Sequence, residues 1–418
     1  MVNRSLVKLG TWLAFVSAVG CNVSSPPKTT GGVEGGAVAA CPGALSVVCT
    51  DFTTTNIEIA SLDGTSMSGS FVSSGSTPTG LTTALSGDVD VPFVPPASGR
   101  VLLIDRYGTD VLTWMTLSTA SVLAQLVVGT GFDSNPQDYI ETSATQAYLS
   151  RYGTNASPGQ QMYDQGGDLL ILNTNNYSIT GRIAMPEENT ALHPCPAGMN
   201  WVGSDVVVTL QRFSSDFSMI GDGRFVGVSP ATNSIAWTVN ITGLQDCGRV
   251  YVSPSGKVGA IACSGQPDSS GNYDPTGSDI VLYDLTQSPP VETKRLGLGA
   301  SLTKSVQPQL AFASETTLLA LTYGNAGAPT SGDTAIAVDI AMADSGAATV
   351  TQLASETMAD QLAGPFCSPG CSEYCILADS EANTILRWQF ANGTFTAASN
   401  AVVDPSVGLP PIDIGGLL

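Results

Sequence analysis

The chain is poor in charged residues, and basic residues are especially few. Only 12% of its 418 residues are charged, against about 25% in an average globular protein. The 15 Lys and Arg residues are outnumbered by 35 Asp and Glu residues, which gives a formal net charge of -20, and no basic cluster occurs. Nucleic acids and anionic lipid headgroups bind mainly through basic side chains. We therefore expect neither to be a partner of the folded domain.

Histidine is almost absent as well. His193 is the only one in the chain, which excludes HExxH sites and metal centres built from several histidines. The sequence also lacks a G-x-S-x-G elbow, a Walker loop and a complete G-x-G-x-x-G fingerprint, the motifs of α/β-hydrolases, NTPases and dinucleotide-binding proteins. It therefore identifies no catalytic residue, metal site or cofactor.

The first twenty residues have the pattern of a secretory signal peptide. Arg4 and Lys8 lie in a charged segment, and residues 9–19 are mainly apolar. A membrane-spanning helix needs about 20 apolar residues, so this run is too short to remain as one. We expect residues 1–20 to be removed and the mature protein to be exported.

The sequence Ala18-Val19-Gly20-Cys21 resembles the cleavage box of bacterial lipoproteins. In that family the cysteine is diacylated and becomes the mature N-terminus, so the resemblance implies palmitate-type lipidation of Cys21, with ordinary secretion as the alternative. Residues 21–40 are rich in Ser, Pro and Gly and predict a flexible tether. Asn22 stands where an inner-membrane retention signal would have Asp, which favours the outer membrane.

Removing Cys21 leaves eight cysteines, an even number that fits disulfides in an oxidising compartment. Local spacing predicts the pairs Cys41–Cys49 and Cys247–Cys263. Three further cysteines lie close together, and one of them is expected to reach Cys195. A zinc site with Cys195 or His193 is the alternative for this group. Its other members are Cys367, Cys371 and Cys375.

Short apolar runs bounded by turn residues recur along the chain, whereas helical periodicity is scarce. Each run is preceded by another strand-like segment and followed by a tight turn and a further one. Seven units with room for four strands each predict an all-β fold, a seven-bladed β-propeller over residues 41–418. A parallel β-helix has a much shorter repeat. The seven runs begin 50–58 residues apart at Ile57, Val111, Leu169, Phe225, Ile280, Ala335 and Ile385.

The third unit, residues 147–186, resembles the YVTN-type repeat of seven-bladed propellers, which include the lactonase-like superfamily and bacterial envelope lipoproteins. Its Tyr148-Leu149-Ser150-Arg151 stands where the family has Tyr-Val-Thr-Asn. The resemblance implies the fold. It does not imply a reaction, because propellers have many unrelated functions.

Long connections between the second and third strands occur in four units, and in a propeller these open on one face. They carry many aspartates, which predicts an acidic binding face, with a solvated rim as the alternative. Calcium is the cation that this acidic face would bind, although nothing in the sequence matches the spacing of an EF-hand loop. The residues are Asp164, Asp168, Asp216, Asp222, Asp268, Asp274, Asp279 and Asp333.

An Arg-aromatic pair recurs at the ends of second strands, at Arg106, Arg151 and Arg212. Equivalent positions in successive blades would bring these arginines toward one end of the central channel, where guanidinium groups suit carboxylate or phosphate ligands. The alternative is an ion pair between blades, for example with Asp138.

The sequence therefore predicts a monomeric, lipid-anchored propeller of the bacterial cell envelope. We expect a non-catalytic binding or scaffold module that presents its long loops to an envelope protein, a glycan or a small anionic ligand. A lactonase-like or other hydrolase, with carboxylates or a metal at the channel mouth, is the alternative.

Overall fold

The structure is a computed structural model that describes residues 41–418 except 107, 187–190, 269–270, 326–330, 342–347 and 405. The predicted signal peptide, the lipidation site Cys21 and the tether lie outside the described residues.

The described chain forms seven antiparallel sheets, six of four strands and one of four strands with a short fifth, which confirms the predicted seven-bladed β-propeller. Blade 1 combines β1 (Ala44–Thr50), β2 (Thr55–Ala60) and β3 (Met67–Ser73) with the last strand, β29 (Pro411–Leu417). Blade 2 contains β4 (Val89–Asp90), β5 (Val101–Asp105), β6 (Val111–Met115) and β7 (Val122–Val127). Blade 3 contains β8 (Pro136–Glu141), β9 (Gln146–Thr154), β10 (Gly166–Asn173) and β11 (Ser178–Ala184).

The other four blades follow the same order, with the first strand innermost. Blade 4 contains β12 (Pro196–Val202), β13 (Asp205–Leu210), β14 (Asp222–Ser229) and β15 (Ser234–Gln245). Blade 5 contains β16 (Tyr251–Val252), β17 (Val258–Cys263), β18 (Asp279–Asp284) and β19 (Val291–Arg295), and blade 6 contains β20 (Val306–Phe312), β21 (Thr317–Thr322), β22 (Thr334–Asp339) and β23 (Thr349–Ser355). Blade 7 contains β24 (Leu362–Cys367), β25 (Tyr374–Asp379), β26 (Thr384–Ala391) and β27 (Thr394–Ala397), with the short β28 (Ala401–Val402) also paired to β26.

The predicted apolar runs are the third strands of the seven blades. In each blade the second and third strands lie in the middle of the sheet. Both are buried because neighbouring blades cover both faces of the sheet. Apolar clusters fill each junction between blades. At the junction of blades 2 and 3, for example, Trp114 packs edge-on against Tyr139 with ring centroids 6.1 Å apart. The low charge content of the chain follows from this stacking.

The two ends of the propeller are joined in blade 1. β29 pairs with β1 and supplies the innermost strand, so residues near the C-terminus complete the blade that the N-terminal strands begin. A disulfide between Cys41, just before β1, and Cys371, between β24 and β25, adds a covalent link between blade 7 and the start of blade 1.

Three disulfides form among the described residues, and they only partly match the predicted pairs. The pair Cys247–Cys263 is confirmed. The pair Cys41–Cys49 is wrong, because β1 runs straight from Ala44 to Thr50 and carries Cys49 away from Cys41. The bonds are Cys41–Cys371, Cys247–Cys263 and Cys367–Cys375.

Cys49 and Cys195 are buried free thiols. The expected link from Cys195 to the C-terminal cysteines is wrong, because Cys367 and Cys375 face each other across β24 and β25 and bond together. The alternative of a zinc site is also wrong, because all three C-terminal cysteines are in disulfides. Burial raises the pKa of Cys195 to about 11 and that of Cys49 further, so both thiols are unreactive at neutral pH.

The connections between second and third strands and the links between blades open on one face of the propeller, here called the long-loop face. Two short helical segments lie near it, a 3₁₀ turn at Pro275–Gly277 and α1 at Leu298–Leu302. No helix in the described part of the chain is long and apolar enough to cross a membrane.

Candidate functional site: the channel end at the long-loop face

A cavity of about 190 Å³ lies on the axis of the propeller. Arg106 and Gln211, which directly follow second strands, also line it, so the cavity lies at the long-loop end of the channel. Every innermost strand contributes to its wall, through Asp90, Gln137, Gly198, Tyr251, Gln309, Gly364 and Asp413.

Arg249 crosses the wall of this cavity. It precedes the innermost strand of blade 5, but its Nη2 atom lies 3.0 Å from Asp138 Oδ2 in blade 3. Its guanidinium carbon lies 4.0 Å from the ring centroid of Phe93, which follows the innermost strand of blade 2. It passes over Gly198 of blade 4, where an added Cβ would come within 2.6 Å of Arg249 Cβ. The absence of a side chain at Gly198 therefore makes this path available.

Both carboxylate oxygens of Asp138, the partner of Arg249, accept hydrogen bonds. Its carboxylate accepts hydrogen bonds from the backbone N–H groups of Met199 at 2.7 Å, Tyr139 at 2.9 Å and Phe93 at 3.3 Å. Burial raises the pKa of Asp138, and the Arg249 charge opposes this effect. The expected ion pair of Asp138 between blades is present, but its arginine is Arg249 and none of the three predicted ones.

A second feature of the cavity is a pair of carboxyl groups. Asp413 of β29 is hydrogen-bonded to Asp90 of β4, and burial together with the Asp90 charge raises the pKa of Asp413 well above its ordinary value. Arg106 Nη1 donates to Asp90 Oδ2 at 2.9 Å. Two adjacent carboxyl groups in a poorly solvated place oppose each other's ionisation, so the charged form of Asp413 is disfavoured.

The three predicted arginines do not form one cluster. Arg106 lines the cavity and pairs with Asp88 and Asp90. Arg151 is completely buried within blade 3, where its Nε donates to Asp168 at 2.8 Å. Arg212 donates to the backbone carbonyl of Asp222. Equivalent positions did not bring these side chains together, because each is held by nearby acceptors of its own blade or, for Arg151, also of the link from blade 2.

Several predicted acidic residues stabilise the backbone of the long-loop face. Asp279 accepts from the N–H groups of Gly297 and Leu298, both at 2.9 Å. The fully buried Asp333 accepts from Gln361 at 2.8 Å and Leu362 at 3.1 Å. In both cases an aspartate at the start of a third strand binds the link to the next blade.

Three other predicted aspartates also bind groups of the fold. Asp164 accepts from three backbone N–H groups of its own loop, which lower its pKa. Asp222 accepts from the N–H of Gly243 at 2.9 Å, and Asp168 binds Arg151 and Arg182. These carboxylates are engaged within the fold.

The remaining three predicted aspartates lie in loops and organise turns. Asp216 accepts from the hydroxyl groups of Ser214 and Ser218, which lower its pKa to about 2. Asp274 caps the 3₁₀ turn through the N–H of Thr276, and Asp268 accepts from the N–H of Asn272 at 2.9 Å. Within the described ranges, no group of three or more His, Cys, Asp or Glu residues could hold a metal ion.

Large apolar side chains are exposed on the same face. Phe217 lies parallel to Tyr152 of the neighbouring blade, with centroids 6.5 Å apart, and contacts Phe213 at 5.5 Å. The four exposed apolar residues elsewhere in the described chain lie on outer strands. Those of the long-loop face, with their exposed fractions, are Phe52 (68%), Met162 (74%), Phe217 (46%), Met219 (48%) and Met358 (52%).

Sequence reasoning missed Arg249, Asp90 and Asp413. Arg249 could have been found from the sequence. It follows Gly248 in the link that enters an innermost strand, and a side chain at this place can reach the axis of the propeller. Asp413 carried no local signal, because its partner Asp90 is far away in sequence and meets it only when the propeller closes.

No protein-family model and no curated protein matches the chain. Solved structures of similar fold include a chain of Kuenenia stuttgartiensis hydrazine synthase, 12% identical with a TM-score of 0.56, covering 86% of this chain and 99% of that one. Two 6-phosphogluconolactonase-like proteins also align. The one from Bacteroides uniformis is 10% identical, with a TM-score of 0.53 and 89% and 99% coverage. The one from Bacteroides fragilis is 10% identical, with a TM-score of 0.51 and 90% and 98% coverage. These likenesses show the fold alone.

Proposed function

We propose that this protein is a non-catalytic binding module of the bacterial cell envelope, anchored to the outer membrane by a lipid on Cys21, that recognises an envelope protein through its long-loop face. The observation that carries the proposal is the concentration of exposed Phe and Met side chains on that face. Methionine and aromatic residues are typical of adaptable protein-binding surfaces.

The acidic residues of the face support a protein partner rather than a cation. The carboxylates of Asp279 and Asp333 accept hydrogen bonds from backbone N–H groups of the blade links. These bonds keep the loops in place. The loops thus form a stable platform, and the exposed apolar side chains between them supply the contact area.

Site-specific photo-crosslinking in the native host tests this function. A photoreactive amino acid at Phe217 should give a discrete crosslinked protein species, and one at Val291, an exposed apolar position on an outer strand of blade 5, should give none. Crosslinking from Val291 but not from Phe217 would contradict the proposed face. The double variant Phe217→Ser with Met219→Ser should reduce co-purification of the crosslinked protein.

The anchor has a separate test. Mass spectrometry of the mature protein should show an N-terminal Cys21 carrying acyl chains, and Cys21→Ser should release the protein from membranes. An unmodified Cys21 amine would contradict lipid anchoring without affecting the binding proposal.

A hydrolase is the second candidate, and the hydrogen-bonded Asp90–Asp413 pair favours it. A protonated carboxyl beside an ionised one can act as general acid and general base on a bound water. Turnover of ester or lactone substrates that disappears in Asp413→Asn would support this function over the binding module.

A further inference from the structure

We propose that the channel cavity is a binding site for one small neutral molecule rich in hydroxyl groups, of the sugar or polyol class, held between Arg249 and the Asp90–Asp413 pair. The site is distinct from the apolar surface of the long-loop face and does not depend on the proposed protein partner.

Arg249 has one hydrogen-bond donor that the protein does not use. Arg249 Nη2 binds Asp138, and its guanidinium carbon lies over Phe93, but Nη1 is buried and has no hydrogen-bond partner among the described residues. Buried donors in native proteins are almost always satisfied by protein, water or ligand. An oxygen acceptor in the cavity would complete the hydrogen bonds of this guanidinium.

The charges around the cavity determine what kind of molecule fits. Asp90, Asp138, Asp413 and the Asp88 partner of Arg106 are four carboxyl groups, against two guanidinium groups. Even with Asp413 protonated, three carboxylates face two guanidinium groups, so negative charge exceeds positive charge and an anion would be repelled. A cationic group beside Arg249 would be repelled by the guanidinium and could not accept a hydrogen bond from Nη1.

A hydroxyl group meets both requirements, because it accepts a hydrogen bond from Arg249 and donates one to a carboxylate. The cavity volume of about 190 Å³ is below the roughly 300–1,000 Å³ of pockets that take drug-sized ligands. This is space for a single small molecule and not for a peptide or a glycan chain.

The wall of the cavity is shaped to keep this space open. An added Cβ at Gly198 would lie 2.9 Å from Arg249 Nε, and one at Gly364 would lie 2.9 Å from Asp413 Oδ1. Glycine at these two positions therefore lets the arginine and the carboxyl pair keep their places.

Three sugars of similar size and different charge form the test. Glucose is neutral, glucuronate is an anion and glucosamine is a cation, and each is titrated into the purified mature protein by calorimetry and ligand-observed NMR. We expect glucose to bind with the highest affinity. Arg249→Lys should weaken glucose at least tenfold, because lysine can still pair with Asp138 but has no second nitrogen at the position of Nη1.

Arg295→Lys is the matched control, since Arg295 pairs with the exposed Glu292 on an outer strand, and it should leave glucose binding unchanged. Gly198→Ala, which displaces Arg249 without changing any charge, should also weaken glucose. The proposal is overturned if none of the three sugars binds, if a charged sugar binds more tightly than glucose, or if Arg249→Lys binds glucose as the unaltered protein does.

Discussion

Glu58 makes the stability of the propeller depend on pH. It lies in β2 and is completely buried, and its Oε1 has no hydrogen-bond partner among the described residues. Its Oε2 is 3.5 Å from the backbone nitrogen of Asp404, in the link from blade 7 to blade 1. Burial raises its pKa from 4.5 to about 7; the Asp404 N–H opposes this, and the Asp404 carboxylate adds to it. The folded protein therefore holds a proton that the unfolded chain releases at lower pH.

The direction of the pH dependence follows from the difference in the pKa of Glu58 between the folded and unfolded states. A raised pKa of an acid means that the stabilising contribution is present below about pH 4.5 and is lost as the pH rises through about 7. At ~1.4 kcal/mol per pKa unit, ionisation of Glu58 costs the fold about 3 kcal/mol at about pH 8 and about 1 kcal/mol at about pH 5. Glu58→Gln removes this cost.

Equilibrium urea unfolding of both proteins at the two pH values measures the effect. The stability difference between Glu58→Gln and the unaltered protein should shift in favour of the variant by about 2 kcal/mol between about pH 5 and pH 8. Glu315→Gln, which changes an exposed carboxylate, should show no such shift. A difference that is the same at both pH values would refute the assignment of a buried, proton-holding Glu58.

Three further predictions concern other parts of the structure. Asp333→Ala should destabilise the protein by about 3 kcal/mol in urea unfolding, because it leaves backbone N–H groups buried without acceptors; a loss below about 1 kcal/mol would contradict its role in the blade link. Removing the Cys41–Cys371 disulfide by paired Ser substitutions should cost about 2–5 kcal/mol, and unchanged thermal unfolding would show that β29 alone closes the propeller. Cys49 and Cys195 should resist alkylation in the native protein and react after denaturation, so modification of either under native conditions in mass spectrometry would contradict their burial.

The blades could be predicted because their signals are local. An apolar run, a turn and the next run lie within one repeat, and seven copies reinforce one another. The closure of the propeller was not predicted, since the pairing of β1 with β29 joins residues such as Leu45 and Gly416 from opposite ends of the chain. The Cys41–Cys371 bond was missed for the same reason, whereas Cys247–Cys263 spans one hairpin and was found.

Several of the predicted aspartates share one position in the repeat. Aspartates stand at or next to the start of the third strand in five successive blades, at Asp110, Asp168, Asp222, Asp279 and Asp333. Most bind backbone N–H groups of their own blade or of the link to the next one. A residue that recurs at the same place in successive repeats usually has a structural role. Here that role is to accept hydrogen bonds from backbone N–H groups where one blade passes to the next.

The same reasoning separates Arg249 from the three predicted arginines. Arg106, Arg151 and Arg212 follow a repeated pattern, and each binds acceptors of its own blade. Arg249 interrupts the repetition, crosses blade 4 to reach Asp138, and keeps one nitrogen unused beside the cavity. In a propeller, where seven similar units fix the scaffold, a charged group that occurs in only one unit and points to the axis is free to serve binding. The departures from the repeat, more than the repeat itself, are therefore where we propose that the small molecule binds.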